Sequence, residues 1–151
     1  MDIASRTALA DDTFTIGREM LPPISLGELL WGTIERAEGL ETLVEMEKSQ
    51  RFQRAQSQVT MYLSDVDWYP LPETLAERMN ALDPEKSNPL KHIVFLTSAA
   101  AFAPAIYHLS KLLDEMQGKT AIPAILCFPG TLEGETGLRY MGLRDRESFG
   151  N

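Results

Sequence analysis

Ile93-Val-Phe-Leu-Thr97 and Ile122-Pro-Ala-Ile-Leu-Cys-Phe-Pro-Gly130 are the two stretches whose reading decides the fold. Each holds a continuous apolar run, the pattern of a strand covered on both faces rather than of a half-exposed one. Between them Phe102, Ile106, Leu109, Leu113 and Met116 recur at spacings of four, three, four and three, with Ser110, Lys111, Asp114, Glu115 and Gln117 on the other side. That period predicts one amphipathic helix laid on a sheet. Pro104 fits its first turn, and Gly118 supplies the left-handed residue that ends it. Strands near 92–97 and 122–128 are therefore expected to be parallel neighbours joined by a right-handed crossover. In such a βαβ unit both carboxyl-end loops open on one edge, so Thr97-Ser98-Ala99 and Pro129 to Gly134 are expected side by side, where a small-molecule site would form.

The rest of the chain is read against that unit. Its 151 residues and 44% apolar content suit a single α/β domain spanning 1–151, with a small, mostly parallel sheet flanked by helices. Met1 to Asp12 has no periodicity and reads as a mobile lead-in. Thr13-Phe-Thr-Ile16 has the alternation of a short strand at the sheet edge. After Pro22-Pro23, Ser25 and Glu28 form a capping box with Ile24 and Leu29 as a staple, opening a helix whose buried stripe is Leu26, Leu29, Leu30 and Ile34. Gly39 ends it. Leu40, Leu43 and Val44 begin a second, acidic helix, and Phe52, Ala55, Val59 and Tyr62 mark a third. Asp65 to Pro72, with Trp68 and Tyr69, reads as a packed turn. Leu75, Met79 and Leu82 share the face of a further helix, and Pro84, Ser87 and Pro89 punctuate the loop into the central strand. The tail from Thr136 to Asn151 is expected to carry no regular terminating element.

Charge and cysteine usage exclude several functions. With 22 acidic against 14 basic residues the formal net charge is -8. Direct binding to a phosphate backbone, which needs clustered Lys and Arg, is not expected. Cys127, the single cysteine, sits in an apolar run and is expected to be a small, buried, inert hydrophobe. No disulfide framework, secretory leader or run of about 18 apolar residues is present, so a soluble protein of the reducing cytoplasm is expected.

Candidate chemistry is sparse. The sequence holds no phosphate-loop, GxGxxG, CxxC or HExxH motif, and His92 and His108 lack the spacing of metal ligands. Thr97 and Ser98 offer hydroxyls at a helix N-terminus, though capping explains them as simply, since no lysine stands close by. Gly130 and Thr131 could bring backbone N–H groups toward a ligand, yet Pro-Gly is also an ordinary turn. Glu133 and Glu135 make a carboxylate pair that reads equally as a solvated loop. Arg139, Arg144 and Arg146 are the densest basic positions, interleaved with acids that would pair with them.

Several of these segments together resemble a known family. Ile93 to Ser98, Leu109-Ser-Lys-Leu-Leu113, Ile122 to Gly130, Thr131-Leu-Glu-Gly134, then Leu138, Met141 and Gly142, resemble BrxB, a small component of bacterial BREX phage-exclusion systems. Ile24-Ser-Leu-Gly-Glu-Leu-Leu30 and the acidic helix after it fit the family's order. The resemblance covers roughly Ile24 to Leu143, and the strand ending in Phe-Pro-Gly is its most specific part. It departs at both ends, where the family's longer N-terminal strand and helix and its final strand are not legible, the pattern of a truncated or divergent member. The family carries no established catalytic residues and implies no cofactor. What the resemblance implies is a non-catalytic interaction subunit whose partners are other BREX proteins, a PglZ-type protein foremost, with no membrane. Leu138, Arg139, Met141 and Arg144 are then candidate partner-binding residues. The other reading is a small nucleotide- or phosphate-binding enzyme using Thr97, Ser98, Gly130, Thr131 and Glu133 at the carboxyl edge of the sheet.

Overall fold

The computed structural model describes residues 18–50, 52–83, 88–135, 137–140 and 146–148. The expected strand at Thr13 to Ile16, the lead-in before it, the loop residues Pro84 and Ser87, and Met141 and Arg144 lie outside them. The chain is α/β, as its apolar runs require. Its central strand, β3 (His92–Thr97), pairs in parallel with β1 (Glu19–Met20) at one end and β2 (Ile24–Ser25) at the other. Glu19 faces His92 and Met20 faces Ile93, but Ile24 faces Leu96, so four steps on one side match three on the other. β1 and β2 are thus one strand with an extra residue taken up at Pro22-Pro23, which have no N–H to give a ladder.

On its other side β3 pairs in parallel with β4 (Ala124–Leu126), confirming the parallel pair expected of the βαβ unit. Here an expectation fails. The strand read as 122–128 and covered on both faces is three residues long, and Ala124, Ile125 and Cys127 are exposed. The cause is position. Among the described residues β4 has a ladder partner on one side only, and side chains alternate, so Val94 and Leu96 join the helical core while Ile125 and Cys127 take the opposite parity. The Cys127 N–H still donates to the Leu96 carbonyl at 2.9 Å, but its thiol meets solvent. A thiol reagent is therefore expected to label one cysteine of the native protein within minutes. Labelling only after denaturation would contradict the exposed edge.

Among the described residues four α-helices precede β3: α1 (Leu26–Ala37), α2 (Leu40–Gln50), α3 (Phe52–Ser64) and α4 (Leu71–Ala81). The Ser25 hydroxyl accepts the Glu28 N–H at 3.3 Å, the N-cap anticipated from sequence. Gly39, at φ +81°, receives the chain after α1. Leu26 and Ile34 are buried, with Leu29 and Leu30 packed beside them. Tyr62 and Leu63 of α3 and Leu71, Leu75 and Met79 of α4 complete one contiguous core with Val94 and Leu96. Between α3 and α4 the Asp65 carboxylate accepts the Asp67 N–H at 3.0 Å, closing the packed turn and setting Trp68 against Tyr62 with ring centroids 4.9 Å apart.

Tyr62 also fixes a pH dependence. Its hydroxyl donates to Glu38, and burial first, then that bond, pushes its ionisation from 10.0 up to about 12. Tyr107 is raised as well, by burial and by donating to Glu115 at 2.9 Å. A phenol that holds its proton more tightly when folded contributes stability intact below pH 10 and lost as pH rises through about 12. Near pH 11 the native protein is expected to show fewer ionised tyrosines than the chain in denaturant. Superimposable titration curves would contradict this.

The crossover differs from the single helix expected. It is a 3-10 turn (Ala99–Phe102), a short α5 (Ala103–Ile106) and α6 (Leu109–Met116), separated by extended Tyr107 and His108. Core burial outweighs helix continuity there. The break turns the Tyr107 ring inward, 6.3 Å from Phe102, and shifts the register so that Leu112, with Leu109 and Met116, faces the core instead of Leu113. Gly118, at φ +78°, ends the segment as anticipated.

Beyond Leu126 the loop expected from Pro129 to Gly134 and the described residues of the tail, expected to carry no terminating element, form an antiparallel sheet of β5 (Gly130–Glu133), β6 (Gly137–Tyr140) and β7 (Arg146–Ser148). Gly134, at φ +73°, makes the reversal that places Glu133 opposite Gly137.

Candidate functional site

The sequence candidates fall into two places. Thr97 and Ser98 end the central strand, where Thr97 is in register with Ser25 and donates its hydroxyl to the Ile24 carbonyl at 3.5 Å. Ser98 is exposed at φ +57°, and its carbonyl accepts the Ala101 N–H. A Cβ on Gly27, in the first turn of α1, would sit 3.4 Å from the Ser98 Cβ. The carboxyl edge at Thr97 and Ser98 is therefore shared with the N-terminus of α1.

Gly130, Thr131 and Glu133 belong instead to the antiparallel sheet. Gly130 is opposite Tyr140 and Thr131 opposite Arg139. A Cβ at Gly130 would clash with the Arg139 carbonyl and come within 2.7 Å of the Phe128 ring, so this glycine permits close approach of two backbones. Arg139 donates to the Glu133 carboxylate at 2.6 Å, each side chain partly exposed. Leu138 is half-buried and in register with Leu132, which is 79% exposed. Glu135 lies exposed in the turn.

Sequence reasoning passed over two features. Leu132 was hidden because Gly130 to Gly134 reads as a loop, although the flanking Leu138-Arg139-Tyr140 and the intervening glycine are hairpin signals. The other is a group at the amino end of the central strand. His92 Nε2 is 3.8 Å from Asp83 and Nδ1 is 4.0 Å from Glu19, beside a mainly apolar cavity of about 250 Å³ lined by Asn80, Asp83, Pro89, Ala121 and Ile122. That cavity is at the edge opposite the carboxyl ends, where parallel sheets usually bind ligands. His108 precedes α6 at its N-cap. No cluster of three or more metal-ligating side chains occurs among the described residues, and none of their helices is long and apolar enough to cross a membrane.

The family model described as BREX protein BrxB matches residues 23–149, most of the chain. No curated protein and no solved structure matches.

Proposed function

The chain belongs to the BrxB family of BREX proteins, and from that premise we propose that it is a non-catalytic interaction subunit of the BREX phage-defence machinery, docking a PglZ-type protein through the β5–β6 hairpin. The observation that carries this reading is Leu132, 79% exposed and in register with Leu138 on one face of the hairpin, the Glu133–Arg139 pair taking the opposite face. An exposed apolar side chain of this kind is what the core of an interface buries. The proposal keeps Met141 and Arg144, which lie outside the described residues, as candidate partner contacts.

Other observations support a protein partner over a small-molecule reaction. Of the candidates for such a reaction, the Thr97 hydroxyl is engaged by the Ile24 carbonyl and the Glu133 carboxylate by Arg139. The net charge of -8 opposes docking on a nucleic-acid backbone and favours a partner with basic surface.

The test is co-expression of the tagged chain with a set of BREX proteins that includes a PglZ-type protein. Retention of the PglZ-type protein is the expected result. Retention of a different BREX protein would overturn the choice of partner, and retention of none would overturn the interaction reading.

A further inference from the structure

The hairpin leaves unexplained an aromatic side chain on the first helix. Trp31 is 48% exposed, at the margin of the face that Leu26, Thr33 and Ile34 seal into the core. Spacings of three and four put Glu28 and Glu35 on the Trp31 stripe, one turn to either side. A Cβ added at the neighbouring Gly32 would meet nothing within 4 Å, so the helix surface at that position is open. α2 continues the charge, with exposed Glu41 and Glu45.

From Leu26 to Gln50 there are six glutamates against Arg36 and Lys48, a net of -4, half of the whole chain's -8 in a sixth of its length. Arg36 does not neutralise the stripe, because its guanidinium lies over the Tyr69 ring, 4.2 Å from the centroid. An exposed indole between two carboxylates suits one chemistry. A Lys or Arg side chain over the ring gains a cation–π contact, Trp being the strongest ring for it, while basic neighbours meet Glu28 and Glu35. The same field repels a phosphate backbone, an anionic membrane or a second copy of this acidic chain.

We propose that the exposed face of α1 around Trp31 is a docking surface for a Lys/Arg-rich protein segment, separate from the hairpin surface and independent of the reading given to it. The probe is a synthetic octa-arginine peptide, titrated into the full chain while its tryptophan fluorescence is followed. Saturable binding is expected. Trp31→Ala and the pair Glu28→Gln, Glu35→Gln are each expected to weaken it at least tenfold, measured by calorimetry on variants shown folded by circular dichroism. The pair Glu77→Gln, Asp114→Asn removes the same charge from exposed positions on α4 and α6 and is expected to change affinity less than twofold. No binding, or equal weakening by both charge pairs, would overturn the proposal, since the peptide would then sense only overall charge. Doubling of the molecular mass without peptide, abolished by Trp31→Ala, would overturn it in favour of a second copy as occupant.

Discussion

Leu109→Asp is expected to leave the protein unfolded, while Lys111→Asp, two residues on, leaves it folded. Leu109 is 1% exposed and begins α6 in the centre of the core. Losing a buried leucine removes about 2–5 kcal/mol, and an unpaired carboxylate in its place costs several more. Together these consume most or all of the roughly 5–15 kcal/mol that holds a domain of this size. Lys111 is on the outer face, 3.6 Å from Glu115 and 5.4 Å from the Tyr107 ring. Those exposed contacts contribute about 1 kcal/mol together, so the second variant melts a few degrees lower. Soluble yield and melting temperature check the pair. Equal behaviour would mean that α6 is rotated from its described position.

Gly130→Ala is expected to have the second largest effect, and a local one. The added methyl has to displace the Arg139 backbone and the Phe128 ring. Because backbone on the facing strand cannot turn aside as a flexible side chain does, the loss is expected at roughly 3 kcal/mol, the upper end of overpacking effects. Hydrogen exchange locates it. Protection should fall across residues 130–140, while Val94 and Leu96, held by β2 and β4, keep theirs. Unchanged protection in the hairpin would contradict the close approach of β5 and β6.

How far the sequence disclosed these features follows from where the forces act. The Ser25 cap and the turns at Gly39 and Gly118 are local chemistry, and local chemistry is legible; the long-range pairing of β3 with β4 was legible only because two apolar runs flank a helical segment. The break at Tyr107 is not, since Phe102, Ile106 and Leu109 keep helical spacing while the burial of one tyrosine ring interrupts it. Cys127 was misjudged for a related reason. A continuous apolar run implies cover on both faces only where a layer packs on each, and among the described residues Ile125 and Cys127 lie exposed on the parity opposite to the core. At the candidate site, the residues around Thr97 were placed correctly at a strand end. Gly130 to Glu133 were not, because a strand that begins with glycine for close packing looks like a loop until its partner strand is known.

The central claim is that the hairpin face is where a BREX partner docks. Calorimetric titration of the PglZ-type protein with wild type, Leu132→Lys and Val66→Lys tests it most directly. Val66 is 86% exposed in the turn before α4 and serves as the control for adding a charge to an exposed apolar position. The account predicts that Leu132→Lys weakens binding at least about tenfold, or about 1.4 kcal/mol, with Val66→Lys indistinguishable from wild type. Wild-type affinity for Leu132→Lys, or equal weakening by both variants, would contradict it.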